Sequence, residues 1–352
     1  MIQRFTFCRV TSVMMLFTGV RTKPPHRASW FLTILCLTTG AAHGQPERRR
    51  STVQSHDFLV QGQTRQAIII EPSVVSESPP IVFVFHGHGG SGRNMARKGF
   101  DKAWPEAVFV FPNGLPTATR RDPEGKRSGW QNRAGTNQDR DLEFFDVMLR
   151  FAKDQSKIDG DRVFATGHSN GGGMTGLLWA MRRDQLAAVA ISAGGSGEPG
   201  RLQPLPVLHL AGRQDPIVPF PNQRRSIDWF HTVNETSDES VDMPGVGQRY
   251  ASPNGTDVVV HIHDGGHEFL HDAPNRITLF FRSLKRPEEG YPINESLPER
   301  TAADRSQVFE RLDRNADRVI TPDELARPQL FQRLDRDQDG RITIEEANAS
   351  TS

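Results

Sequence analysis

Short runs that are apolar at nearly every position recur along the chain, each bounded by glycine, proline or polar residues. They are Ile81–Phe85, Ala107–Phe111, Arg162–Thr166, Leu186–Ser192, Pro206–Leu210 and Asp257–Ile262. A run with no polar alternation suits a strand covered on both faces, as in a parallel sheet packed by helices. Between these runs lie segments with helical spacing: Met95–Trp104, Leu142–Phe151, Gly172–Met181 and Asn275–Leu284. Further strand-like runs span 56–71, and the Pro- and Ser-rich stretch Glu71–Pro80 reads as a turn. Strands alternating with helices predict an α/β fold with a mostly parallel sheet. One stretch breaks the rhythm. Residues 112–140 are polar and turn-rich, with Trp130 as their main large apolar residue. A loop of that length is usually functional or disordered.

The pattern changes at both ends. Arg27 precedes a short apolar core, Trp30–Leu37, and small residues follow it up to Gly44. This layout predicts a targeting segment over 1–44, cleaved before Gln45. The core is shorter than the ~20 residues of a spanning helix, so export to the periplasm or the outside is expected, with no membrane attachment after cleavage. An uncleaved N-terminal anchor is the alternative. Both cysteines, Cys8 and Cys36, fall within this segment, so the processed chain carries no thiol. At the other end, Pro, Glu, Gly, Asn and Ser dominate Pro287–Pro298. The expected parts are therefore a targeting segment (1–44), an α/β domain (45–286), a linker (287–299) and a charged tail (300–352). A formal net charge of +1 gives no general electrostatic case for nucleic acid or membrane binding.

Candidate chemistry centres on Gly167-His168-Ser169-Asn170-Gly171, between a predicted strand and a predicted helix. A G-x-S-x-G in that context holds a serine hydroxyl on a strained turn at the sheet's edge. Serine is a weak nucleophile at neutral pH and needs a base, which in turn needs an orienting carboxylate. In such sheets the order along the chain is Ser, then Asp or Glu, then His. Asp215 follows the strand 206–210, and His267 follows the strand 257–262 behind a double glycine. Asp228 is a rival acid on a helix-like segment, and His261, His263 and His271 are rival histidines. The oxyanion donors expected are the N–H of Asn170 and an N–H from His86-Gly87-His88-Gly89-Gly90, that of His88 foremost. A metal site using His86 and His88 is the other reading of that loop; without a carboxylate cluster it is a weak one.

These residues carry a resemblance. Val84-Phe85-His86-Gly87, Gly167 through Thr175, Asp215-Pro216-Ile217-Val218-Pro219 and Gly265-Gly266-His267 resemble the secreted esterases of the polyhydroxybutyrate-depolymerase and feruloyl-esterase group, which has the α/β-hydrolase fold. Asp139–Phe145, ahead of Asp161-Arg162-Val163, matches the same layout, and the resemblance spans about residues 56–285. It implies a serine carboxylic-ester hydrolase acting on feruloyl or acetyl esters of polysaccharides, needing no catalytic cofactor, with polyhydroxybutyrate depolymerisation as the alternative. The chain departs from the group by having Glu268-Phe269-Leu270 after the histidine, where a Trp and Pro are frequent. Trp130 and Phe269 are candidates either for an aromatic acyl pocket or for the core.

The tail repeats itself. Asp313, Asn315 and Asp317 are followed by Val319, Ile320, Thr321 and Glu324; Asp335, Asp337 and Asp339 are followed by Arg341, Ile342, Thr343 and Glu346. Each set matches the EF-hand calcium loop, with the seventh residue (Val319, Arg341) offering a backbone carbonyl and the last glutamate binding bidentately. The second loop has Gly340 at the sharp turn. The first has Arg318 there and is expected to bind calcium more weakly. The close spacing of the loops resembles dockerin repeats, but those end in aspartate. A calcium-dependent adhesion protein with an inactive hydrolase domain is the competing function.

Overall fold

The computed structural model describes residues 50–294 without a break and, beyond them, residues 309, 313, 315, 317–322, 324–325, 331, 334–335 and 337–348. The targeting segment expected over 1–44 lies outside the described residues. The strands are β1 (Val53–Val60), β2 (Gln63–Ile70), β3 (Ile81–Phe85), β4 (Val108–Pro112), β5 (Leu115–Pro116), β6 (Ser128–Gly129), β7 (Val163–His168), β8 (Ala188–Ser192), β9 (Val207–Gly212), β10 (Ser240–Met243), β11 (Gly247–Tyr250) and β12 (Val258–His263). Ten of them form one sheet in the order β1-β2-β4-β3-β7-β8-β9-β12-β11-β10. The six strands from β4 to β12 in that order run parallel, and an antiparallel pair closes each edge.

The all-apolar runs form strands because both faces are covered. Phe83, Phe85, Ala165 and Ile191 enter one core, shared with helices α3 (Arg140–Ser156), α4 (Asn170–Arg182) and α5 (Phe220–Asn234). Val82, Val84, Phe164 and Ala190 enter the other, shared with α1 (Gly92–Ala96), α2 (Phe100–Ala103) and α6 (Ala273–Arg282). Burying each Val, Ile or Phe side chain among them contributes roughly 1.5–3 kcal/mol.

Three features depart from the sequence expectation. The helix expected over Met95–Trp104 is two short helices broken at Gly99, whose φ of 87° lies in the left-handed region that favours glycine. The β10–β11 hairpin has no counterpart in the apolar pattern, because its segments, Ser-Val-Asp-Met and Gly-Gln-Arg-Tyr, lack an apolar run. The stretch read as a linker is bonded to the domain through Asn294. Arg183 Nη2 donates to the carbonyls of Tyr291 and Pro292, Tyr291 Oη donates to Ala187 O, and Asn294 Nδ2 donates to Val233 O.

In the tail, β13 (Val319–Ile320) pairs antiparallel with β14 (Ile342–Thr343), and Phe309, Ile320, Leu325, Phe331 and Ile342 form a small core.

Candidate active site

Ser169 sits between β7 and α4 with φ 57° and ψ −118°, a backbone strain that a serine adopts only when its surroundings impose it. Two contacts explain the flanking glycines. A Cβ on Gly167 would lie 2.2 Å from Gly171 O, and a Cβ on Gly171 would lie 2.3 Å from Phe85 O. The Ser169 N–H donates to Ser192 O at 2.8 Å, which ties the turn to β8.

Asp215 follows the end of β9 and is 5% exposed. Its carboxylate is saturated. Oδ1 accepts the N–H groups of Ile217 and Val218, both at 2.8 Å, and Oδ2 lies 2.8 Å from His267 Nδ1 and 3.0 Å from Gln223 Nε2. Burial by itself would raise its pKa, but the hydrogen bonds from His267, Val218 and Ile217 together hold the carboxyl below its ordinary value. On its other side His267 presents Nε2 at 2.8 Å from Ser169 Oγ. With Nδ1 donating to the carboxylate, Nε2 is left as an acceptor for the serine proton. Ser169, His267 and Asp215 thus lie on one chain of hydrogen bonds. The rival Asp228 is paired with Arg224 on α5, and the His261 and His263 rings stack on each other along β12.

The 86–90 loop, expected to supply an oxyanion donor, is held by a less obvious set of contacts. Asn170 Oδ1 accepts the Trp130 N–H at 2.7 Å, and its Nδ2 donates to Trp130 O at 2.9 Å. Trp130 Nε1 donates to His86 O at 2.9 Å. His86 Nε2 accepts the Gly114 N–H, so its Nδ1–H donates to Gly87 O. The Gly89 N–H donates to Ser128 O, beside the short β5–β6 ribbon. Both nitrogens of His86 are therefore engaged by backbone groups, at Gly114 and Gly87, which leaves that ring no nitrogen for a metal, while His88 Nε2 pairs with Asp122 Oδ2 at 3.0 Å. The backbone N–H groups of His88 and Asn170 take no partner among the described residues. Trp130, 1% exposed and packed edge-on against Phe85, is core rather than pocket wall. Phe269 is half-buried, 5.7 Å from the His168 ring.

Three residues at the site carried no clear signal in the sequence. His168, the variable residue of G-x-S-x-G, lies 4.9 Å from the His267 ring and shares a hydrogen bond with Ser192 Oγ at 3.1 Å. Burial first, then the neighbouring His267, pushes its pKa down to about 4, so it is neutral. Gln223 on α5 is fully buried against Asp215, and His209 on β9 lies in the core, where burial pushes its pKa down to about 4. The strand pattern shows that His209 is buried, but no local motif marks Gln223, whose partner is eight residues away.

In the tail, Asp335, Asp337 and Glu346 bring carboxylate oxygens within 4.8 Å of one another. Asp335 Oδ1 is buried and has no hydrogen-bond partner among the described residues, an orphan that a calcium ion would satisfy. Gly340 and Arg318, at the sharp-turn positions, have φ of 83° and 70°. In the first loop the acidic oxygens are engaged internally: Asp313 accepts the N–H groups of Asp317 and Arg318, and Asn315 Nδ2 donates to Asp317 Oδ2 at 2.9 Å. Asp339 Oδ1 accepts the Arg341 N–H in the second loop, as Asp317 Oδ1 accepts that of Val319 in the first. The donor set of the second loop fits calcium.

The EF hand family model matches residues 329–346. The chain is 29% identical over 248 residues to feruloyl esterase D of Neurospora crassa, covering 65% of this chain and 82% of that protein. It is 27% identical over 221 residues to feruloyl esterase C of Emericella nidulans, covering 58% and 76% respectively. Among solved structures, the acetyl xylan esterase from Aspergillus awamori superposes with a TM-score of 0.53 at 13% identity, over 65% of this chain and 99% of that one, a likeness of fold.

Proposed function

We propose that this chain, a carboxylic-ester hydrolase homologous to the feruloyl esterases and built on the α/β-hydrolase fold with an EF-hand tail, releases feruloyl or acetyl groups from polysaccharides. In this reading Ser169 is the nucleophile, His267 the base and Asp215 its orienting carboxylate. The observation that carries it is the continuous hydrogen-bond chain from Ser169 Oγ through His267 to Asp215, each link 2.8 Å. Chemistry follows from the proton positions. His267 Nε2 takes the Ser169 proton as Oγ attacks the ester carbonyl. The anion that develops is stabilised by the N–H groups of Asn170 and His88, each such donor contributing about 2.7–4 kcal/mol in comparable enzymes. His267 then gives its proton to the departing sugar oxygen. A water molecule, deprotonated by the same nitrogen, releases the acid. Asp215 fixes the imidazole tautomer and stabilises its charged form. The half-buried ring of Phe269, close to His168, is a suitable neighbour for an aromatic acyl group.

The leader composition supports export of the enzyme to the periplasm or the outside. The EF-hand tail is assigned calcium, held in the second loop by Asp335, Asp337, Asp339, the Arg341 carbonyl and Glu346, and more weakly in the first by Asp313, Asn315, Asp317, the Val319 carbonyl and Glu324. Bound there, calcium would crosslink the loop without taking part in ester cleavage.

The test is Ser169→Ala assayed on methyl ferulate and on an aryl acetate. Turnover is expected to fall by about 10⁴-fold or more with the fold intact by circular dichroism. Activity unchanged by the substitution would remove the esterase assignment.

A further inference from the structure

We infer that the enzyme prefers esters carried on an anionic sugar chain, recognised by a ring of three cations around the catalytic groups. This inference rests on the esterase reading above and deepens it.

Each cation contacts a different segment of or beside the site. Lys98, beyond α1, lies with Nζ 6.0 Å from the Phe269 ring centroid, and Phe269 borders His168. Arg121 reaches across to donate from Nη2 to Pro216 O at 3.0 Å, next to Asp215. Arg127 lays its side chain over the oxyanion loop, its Cδ 3.3 Å from where a Cβ of Gly89 would be. All three are exposed, and none has a carboxylate partner among the described residues.

Their lack of partners is local and built in. Asp122 shares the loop with Arg121 and Arg127 but turns inward. Its oxygens accept the N–H groups of Lys126 and Arg127, and its Oδ2 pairs with His88 Nε2. That carboxylate therefore ties the loop down instead of neutralising the arginines beside it. Two other cations, Lys126 and Arg213, are paired, with Glu124 and Asp264. The whole chain is nearly neutral at +1, so the ring is not a by-product of a basic protein. Exposed cations without carboxylate partners, placed beside a reactive site, raise the local concentration of an anionic ligand and orient it.

A carboxylate and a sulfate present the same acceptor oxygens to lysine and arginine, so uronate-bearing and sulfated chains are both candidates. The experiment compares kcat/KM on feruloylated oligosaccharides of matched length: neutral, uronate-bearing and sulfated. Wild type should favour at least one anionic substrate over the neutral one by about tenfold at ~20 mM salt, and the preference should shrink at ~500 mM. The Lys98→Gln/Arg121→Gln/Arg127→Gln variant should bring the ratio close to one. A wild-type ratio near one, or a ratio retained by the triple variant, overturns the inference. If wild type hydrolyses neither methyl ferulate nor an aryl acetate, it is the esterase reading that fails. Calorimetric binding of the unesterified uronate and sulfated oligosaccharides to wild type and the triple variant then decides the cation ring on its own. Weaker binding in the variant supports it and equal affinity removes it.

Discussion

His168 and His209 are imidazoles that the fold keeps neutral, and both are held near pKa 4 by burial. An unfolded histidine titrates near 6.5. Between those values the unfolded chain binds protons that the folded chain refuses, so stability rises with pH across the window. The contribution is complete above about pH 6.5 and is lost as the pH falls towards 4. Asp215 acts lower down: its depressed pKa means that its contribution is lost only below the ordinary carboxylate range. The melting temperature is therefore expected to drop by something on the order of 5 °C between pH 7 and pH 4.5. Thermal unfolding followed by circular dichroism at a series of pH values checks this, and a His209→Phe variant should show a flatter profile over the same window. A wild-type melting temperature that is flat from pH 7 to 4.5 would contradict it.

At the scale of elements, the long loop between β4 and α3 is the working part of the site that its composition least describes. It reads as polar and irregular, yet it is held from both ends. Trp130 is clamped by the Asn170 side chain and bonded to His86 O, and further along Gln131 and Asp141 exchange hydrogen bonds between the Gln131 N–H and Oδ2 and between the Asp141 N–H and Oε1. Beneath it Arg65 and Asp141 form a buried ion pair at 2.8 Å. Removing one partner of such a pair is costly, so the loop is anchored, not draped. Asn170→Ala keeps the backbone N–H offered to the oxyanion but deletes both side-chain bonds to Trp130. It is expected to lower kcat by about tenfold or more with a smaller change in KM, because the oxyanion loop loses its brace. Steady-state kinetics on methyl ferulate measure this. An unchanged kcat would mean that the loop holds its position without the clamp.

At the scale of the whole molecule, the proposed catalysis and the EF-hand tail would use separate chemistry. The hydrolase domain needs no metal for the proposed cycle, whereas the second tail loop leaves a buried carboxylate oxygen, Asp335 Oδ1, without a partner among the described residues. Calcium would remove that cost and hold the paired loops of β13 and β14 together. Chelation of the full-length enzyme is expected to lower a calcium-dependent melting transition while ester turnover changes by less than about twofold. Calorimetry with and without calcium, alongside the ferulate assay, checks both halves. Strong loss of turnover on chelation would show that the tail is coupled to the active site.

The chain's own pattern was enough for the strands of the parallel sheet, because a run apolar at every position can only be buried on both faces. It was enough for the strained turn at Ser169 as well, since the close approaches at Gly167 and Gly171 exclude a Cβ and so leave a mark in the sequence. It also marked the two tail loops, whose oxygen ligands must recur at fixed spacing. It placed Asp215 and His267 at strand ends, but their convergence on Ser169 depends on β9 and β12 lying side by side in the sheet, a pairing between segments some fifty residues apart. Gln223, His168 and the Asn170–Trp130 clamp could not be read in advance. Each acts through a contact whose partner is set by packing, and polar residues that meet only in three dimensions leave no periodicity. The cation ring is the same kind of feature. Lys98, Arg121 and Arg127 are ordinary surface residues along the chain and become neighbours of one site only when α1, the long loop and the Asp215 turn are folded around it.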